Sequence, residues 1–308
     1  MKSFRGYFFI LIGVSFWAIS ATLARFLFSH QVNPLILVQT RMTFSCILLL
    51  LFFLIFHRDV LRVKVKDLYR FVMLGIIGNA GSNFFYYFTI RETNVATAIL
   101  LQYMAPLFVL AFAAFSGEEK LTVTKVVAGV VSLAGCFLAV AGKELSIIHL
   151  SRIGLLTGIG AAFSWAFSNV WSRRLVKDYS TWTILVYAFM SGSVFWLCVN
   201  TPADIIGAGY PLRTWGLFFG FAIISILIPH SFYLMGIRYL TASRAIITAT
   251  SEPIIAILTA YVFLNEVLSP VQIIGAFLVI SAIVLLQRKQ DAPEEVFEVL
   301  PGSVRIEK

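Results

Sequence analysis

Ten runs of predominantly apolar residues, each about as long as a bilayer is thick, divide this chain. A helix rises about 1.5 Å per residue, so roughly 20 apolar residues cross a hydrocarbon core of about 30 Å. The runs are Gly6–Phe28, Pro34–Phe56, Leu68–Ile90, Val95–Phe115, Thr122–Ala141, Ile153–Trp171, Trp182–Val199, Trp215–Ile237, Ala242–Leu264 and Pro270–Gln287. Only 13% of residues are charged, about half the share found in a soluble domain. Too few charges remain to cover a globular surface, so most of this chain's solvent is lipid. The reading is an all-α polytopic membrane protein with ten transmembrane helices. The first run is too long for the apolar segment of a secretory leader and is followed by further spans, so it is read as a span.

The chain also repeats itself. Trp17-Ala18 returns as Trp165-Ala166, 148 positions on, and the same offset pairs Gly6 with Gly154, Ser20 with Ser168 and Ser45 with Ser193. At an offset of 147, Phe85-Tyr86 matches Phe232-Tyr233, Pro106 matches Pro253 and Glu119 matches Glu266. Each copy holds five spans. Five is odd, so the second copy enters the membrane from the opposite side, which makes an inverted repeat. The expected division is residues 1–146 for the first five-helix repeat, 147–287 for the second and 288–308 for a short disordered cytoplasmic tail.

Lys and Arg set the direction, because cytoplasmic loops hold their excess. With the N-terminus inside, inner segments carry eighteen basic residues, outer segments carry five, and Arg41 falls within a span. Both termini are therefore expected in the cytoplasm of a bacterial inner membrane. The net charge of +9 belongs to these loops and does not indicate nucleic acid.

These features resemble the EamA branch of the drug/metabolite transporter superfamily. The pieces that carry the resemblance are FWAISATLAR with FSWAFSNVWSR, QTRMTF, APLFVLAFAAFSGEE and EPIIAILTAYVFLNE. It covers residues 6–287. It implies helices 1–4 and 6–9 around a central cavity, with helices 5 and 10 at the periphery. It does not name a solute, because the family carries amino acids, metabolites, quaternary amines, sugars and drugs. Small multidrug exporters of the superfamily carry a glutamate in their first span. Spans 1 and 6 here have none, so that proton-exchange mechanism is not carried over.

Candidate substrate-binding residues are the polar and aromatic groups within the spans. A charged group near the bilayer centre costs about 2.5–3.5 kcal/mol on insertion scales and is retained for a reason. Arg41 in span 2 and Glu252 in span 9 qualify. Two readings stand for each. They bind the charged ends of a zwitterion or pair with each other; or Arg41 caps neighbouring carbonyls while Glu252 satisfies backbone freed by Pro253. Asn79, Asn83 and Tyr86 recur along one face of span 3, and His230 and Tyr233 occupy the matching face of span 8. They line a cavity or join helices by hydrogen bonds. Gln102, Tyr103 and Asn169 complete the polar set. Trp17 and Trp165 lie mid-span, away from the interfaces tryptophan favours; they stack on a substrate or wedge the halves apart. Glu119 and Glu266 are expected to cap helix ends or close salt bridges, with Lys120 or Lys125 as inner partners.

The leading function is secondary transport of a small organic solute by alternating access, with export of an amino acid or related metabolite as the expected task, driven by a proton or other ion gradient. The rivals are an integral membrane enzyme and a passive channel. His30, His57, His149 and His230 are scattered, with no catalytic or metal-ligand spacing and no nucleotide loop. No cofactor is implied, no enzyme activity is expected, and the partners are lipid and solute.

Overall fold

The computed structural model describes residues 2–29, 32–141, 151–264 and 269–288. Among them every regular element is helical. The elements are α1 (Lys2–Ser29), α2 (Pro34–Phe56), α3 (Leu68–Met73), α4 (Gly81–Glu92), α5 (Val95–Gln102), α6 (Ala105–Ser116), α7 (Val123–Ala141) and α8 (Arg152–Asp178). There follow α9 (Thr181–Val199), α10 (Pro202–Gly207), α11 (Leu212–Ala222), α12 (Ile228–Ile237), α13 (Ala242–Ala249), α14 (Glu252–Leu264) and α15 (Pro270–Arg288). Eight helical stretches are long and apolar enough to cross a membrane. The expected third and ninth spans are helical but not among those eight. The reason is their composition. Span 3 spends its length on Gly75, Gly78, Asn79 and Ser82, all turned into the protein. Span 9 is interrupted at Thr250-Ser251.

Starts are set by side chains that satisfy the first free N–H groups. Asn33, Asn94, Ser151 and Ser180 accept from Leu35, Thr97, Gly154 and Thr183 respectively. The helix α6 ends on Gly117 at φ 65°, a left-handed conformation that glycine adopts without a Cβ penalty. Span 6 runs beyond the expected Trp171 to Asp178 and carries Arg173 and Arg174 clear of the apolar stretch.

The interruptions follow from proline chemistry. A proline ring removes one N–H and clashes with the carbonyl four residues earlier. Pro106 and Pro253 should therefore stop a helix at Gln102 and Ala249, where α5 and α13 end. Each chain then restarts with the proline in the first turn of α6 or α14, where no N–H is needed. Polar groups freed at the second break are re-satisfied locally. Thr250 Oγ1 donates to the Ile247 carbonyl at 2.6 Å, Ser251 Oγ to Thr248 at 2.8 Å, and Cys136 Sγ on α7 to Thr250 at 3.3 Å. Spans 3 and 8 carry a second matched irregularity. Residues Leu74–Ala80 and Ile223–Leu227 are π-helical, joining α3 to α4 and α11 to α12. In span 8 this segment lies just before Pro229, whose clash with Ser225 it absorbs.

Packing crosses between the halves throughout. The first helix α1 lies against α12 and α14, while α8 lies against α4, α5 and α6. The pair α2 and α9 pack together, as do α7 and α15. Close approach needs missing side chains in two places. A Cβ on Gly75 would collide with the Ala188 carbonyl of α9, and one on Gly158 with Leu101 of α5. The largest buried cluster joins Tyr7, Ile10, Met42, Phe71, Phe189 and Trp196 across the centre. Large apolar side chains such as Phe115, Leu156, Ile55 and Phe277 stand exposed around the outside, as a lipid-facing surface requires.

Candidate functional site

The polar residues singled out in the spans converge near the breaks, in small groups rather than one ring. The first group is ionic and amide. Arg41 Nη2 donates to Asn83 Oδ1 at 2.5 Å, and Asn83 Nδ2 donates back along its own helix to the Asn79 carbonyl at 2.8 Å. Ser168 Oγ of α8 donates to Asn79 Oδ1 at 3.0 Å. A chain of bonds thus runs from span 2 through span 3 to span 6. Arg41 binds an amide side chain and not the neighbouring carbonyls one reading expected.

The second group ties the two broken helices. Tyr103 stands at the first break and donates its hydroxyl to Glu252 Oε2, at the second, at 2.8 Å. Glu252 is held by a phenol from the other half, and not by backbone freed at Pro253. Arg41 and Glu252 form no ion pair with each other in this conformation. Gln102, beside Tyr103, donates to Ser82 Oγ of α4 at 3.0 Å.

The third group is aromatic. Trp17 meets Trp165 edge-on with ring centroids 5.4 Å apart and touches His230 and Tyr233, each at 5.1 Å. Trp165 stacks on Tyr233 at 5.6 Å. The Tyr233 hydroxyl donates to Asn169 Oδ1 at 2.9 Å, and His230 Nδ1 faces the Ile226 carbonyl at 3.0 Å. Four aromatic rings from spans 1, 6 and 8 therefore plug the centre. Asn79, Trp165, Ser168, His230 and Tyr233 border a void of about 20 Å³. That suffices for a water molecule but not for a solute, so side chains rather than open space meet at this point between the halves. Arg41, Gln102, Glu252 and Tyr86 do not border that void; the Tyr86 ring packs against Tyr87 at 5.4 Å.

Among the residues of these three groups, two buried nitrogen donors are left over. Arg41 Nε and Asn169 Nδ2 have no hydrogen-bond partner. Buried polar groups are nearly always paired, and an orphan asks for an acceptor.

At the end of α6, Glu119 meets both expectations placed on it. Its carboxylate lies 3.6 Å from the buried Lys125 ammonium and accepts from the Ser243 N–H in the first turn of α13 at 3.2 Å. Its neighbour Glu118 pairs with Arg174 of α8. The predicted counterpart, Glu266, lies outside the described residues. Among the described residues no His, Cys, Asp and Glu cluster is arranged to hold a metal.

Sequence reasoning undervalued Ser168 and missed Ser82 and Cys136. The first was legible, since it repeats Ser20 at the offset of 148. The helix breaks were legible too: two matched prolines in corresponding apolar segments are the usual sequence mark of discontinuous helices.

Known proteins agree with this architecture. An inner membrane transporter of Salmonella typhimurium, YicL, is 23% identical over 92% of this chain and 95% of its own length. The threonine/homoserine exporter RhtA of Escherichia coli is 25% identical over 66% of this chain and 65% of its own. The transporter YcbK of Bacillus subtilis is 25% identical over 88% of both chains. A solved crystal structure superposes with a TM-score of 0.73 at 20% identity, over 93% of this chain and 96% of its own, which speaks for the fold alone. The model of the EamA-like transporter family matches twice, over residues 4–141 and 152–288. Ten apolar runs, matched irregular helices and that double match lead to one conclusion: this chain is a multi-pass membrane protein belonging to the EamA-like transporter family.

Proposed function

We propose that the protein is a secondary carrier that exports an amino acid or related small metabolite across a bacterial inner membrane by alternating access. In this reading ten helices form two inverted five-helix repeats, 1–146 and 147–287, with residues 288–308 as a cytoplasmic tail and both termini inside. The observation that carries the reading is the pair of helix breaks at Gln102 and Ala249, at corresponding positions of the two copies. Discontinuous helices of that kind form the midplane sites of many carriers. The contacts support it as well. Exchanging the halves maps α1 on α12, α13 and α14 onto α8 on α4, α5 and α6, and maps α2 with α9, and α7 with α15, onto themselves. Two copies able to swap conformations can open the seam to either side in turn.

The solute's chemistry in this reading rests on the orphaned donors. A carboxylate would satisfy Arg41 Nε and Asn169 Nδ2, and the Glu252 carboxyl would accept the ammonium of the same zwitterion once Tyr103 releases it. The aromatic plug of Trp17, Trp165, His230 and Tyr233 would close the site around it and withdraw to open it. The threonine/homoserine exporter among the relatives makes those two amino acids the first to test. A proton or another ion gradient supplies the energy in this reading, and the protein is a carrier rather than an enzyme or a pore.

Counterflow tests it. Purified protein in vesicles preloaded with unlabelled threonine should take up labelled threonine faster than empty vesicles do, which a pore cannot accomplish. Arg41→Gln and Glu252→Gln should each abolish the exchange at normal membrane yield. Retained exchange in both variants would remove these residues from the site. Absence of counterflow across a panel of amino acids and related metabolites would overturn the carrier reading.

A further inference from the structure

A second cavity lies away from the centre. A groove of about 660 Å³ opens on the flank between α2, α9 and α12. Its walls are Leu49, Phe52 and Phe53 of α2, Trp182 of α9, and Leu227, Ile228, Phe232 and Met235 of span 8, with His57 and Val60 at one end. The groove exists because two helices part. Along its first half α2 packs on α11 and on the π-helical segment Ile223–Leu227. Beyond that segment span 8 leans onto α9, α1 and α8 instead, and the space beside Leu49–Phe53 is left open. The hydroxyl of Ser231, the one polar side chain on the span 8 wall, is spent on its own helix, donating to Leu227 at 2.6 Å. Between its ends the groove is therefore walled by apolar groups.

Its end is different. The segment after α2 holds Arg58, Arg62, Lys64 and Lys66 against Asp59 and Asp67. Arg62 is matched with Asp59, at 3.1 Å. Arg58 is exposed and bonds only a carbonyl, that of Leu54, at 2.8 Å. Lys64 is exposed. Arg238, one turn past the groove-lining Met235, bonds Thr181 and the Tyr179 carbonyl. Among the described residues no carboxylate pairs with Arg58, Lys64 or Arg238. The slot thus ends at His57 and Val60, within a segment whose Arg58 and Lys64 are exposed cations that no described carboxylate pairs. From Leu49 to His57 the slot runs eight residues of helix, about 12 Å at 1.5 Å each, close to one leaflet's half of a roughly 30 Å core.

We infer that this groove is a binding site for an anionic phospholipid of the inner leaflet, with one acyl chain between α2 and span 8 and its phosphate at Arg58 and Lys64. The chemistry on both ends commits it to that occupant. A neutral lipid would leave the rim cations unmatched, and a free phosphate would leave the slot unfilled. Because α2 belongs to the first half and span 8 to the second, a bound chain lies between the two. The inference uses the topology proposed above only to name the leaflet; the site itself stands on the groove and its rim.

Trp182 in the groove wall makes the test direct. The full chain is reconstituted in phosphatidylcholine vesicles that contain a small fraction of phosphatidylglycerol or phosphatidylcholine brominated on one acyl chain. Quenching assigned to Trp182, as the difference between wild type and Trp182→Phe, should be about 30-fold more effective with the brominated phosphatidylglycerol, the equivalent of about 1 kcal/mol for each of the two basic residues. The wild type should be thermally more stable in phosphatidylglycerol than in phosphatidylcholine, and Arg58→Gln with Lys64→Gln, both exposed changes, should abolish that difference and bring the quenching ratio close to one. Glycerol 3-phosphate in the buffer should leave the quenching unchanged. Equal quenching by the two lipids, a preference that survives the double substitution, a Trp182 component that no brominated lipid quenches, or displacement by glycerol 3-phosphate would each overturn the inference. Vesicles present both leaflets, so none of these results bears on whether the protein is a carrier.

Discussion

Removing the Tyr103 hydroxyl tests the centre of the molecule most sharply. Its bond to Glu252 Oε2 is 2.8 Å long, Tyr103 is buried, and the bond joins the two helix breaks, one in each copy. An interhelical hydrogen bond in a membrane contributes on average about 0.6 kcal/mol and at most about 1.7. This one belongs at the upper end, since the phenol is the one hydrogen-bond partner Glu252 has among the described residues. The coupling energy of a double-mutant cycle over Tyr103→Phe and Glu252→Met is therefore expected at about 1–2 kcal/mol. Each single variant should lose more stability than the other's presence then allows, so that the two losses do not add. The assay is reversible unfolding by denaturing detergent in mixed micelles, followed by circular dichroism. Should transport require the two breaks to separate, the same energy shifts the balance between open and closed seams about 5- to 30-fold, visible as faster exchange in Tyr103→Phe. A coupling energy within about 0.3 kcal/mol of zero, the usual scatter of independent sites, would refute the reasoning.

Other outcomes follow from the same structure. Gly75→Ala places a Cβ against the Ala188 carbonyl of α9, backbone that cannot step aside, whereas a Cβ on Gly220 meets nothing within 4 Å; unfolding in micelles should show the first about 1–3 kcal/mol less stable and the second unchanged or up to about 1 kcal/mol more stable. Burial and a hydrogen bond to Asp67 push the Tyr179 hydroxyl up to about 12, so its share of stability is complete below about pH 10 and is lost as pH rises through that higher value. The Tyr179 hydroxyl, with help from Arg70, holds the Asp67 carboxyl below its usual range, so Asp67 contributes above about pH 4 and loses that contribution as acid carries the pH through its lowered value; Tyr179→Phe should flatten both limbs of the unfolding profile. Glu119→Gln removes the carboxylate 3.6 Å from the buried Lys125 ammonium, which keeps its bond to the Lys120 carbonyl, and a loss of about 3 kcal/mol is expected in the same unfolding assay.

The sequence went far toward the fold because lipid simplifies the problem. With no water to satisfy backbone groups, an apolar run of sufficient length must be helical, and the runs mark where the helices lie. Where lipid contact gives way to protein contact the signal thinned. Span 3 turns Gly75, Asn79 and Ser82 inward and loses the hydropathy that marks its neighbours. The prolines at 106 and 253 were visible as a repeated pair, and the clash of each ring with the carbonyl four residues back sets both stops at Gln102 and Ala249. The π-helical segment at Leu74–Ala80 had no such sign, since no proline precedes or follows it.

Sequence by itself determined that this chain lives in a bilayer, that it is written twice, and that Arg41 and Glu252 are ionisable groups retained where lipid makes them costly. These are properties of composition, offset and span depth, each readable along one dimension. Only the tertiary structure decided the partners: Arg41 with Asn83, Tyr103 with Glu252, and Trp17 and Trp165 against one another rather than apart around open space. Helical periodicity says which residues share a face but not which helix that face meets. In a bilayer every helix is as apolar as the lipid around it, so the choice of neighbour rests on close packing at glycines and on single polar contacts, whose pairing a linear pattern does not encode.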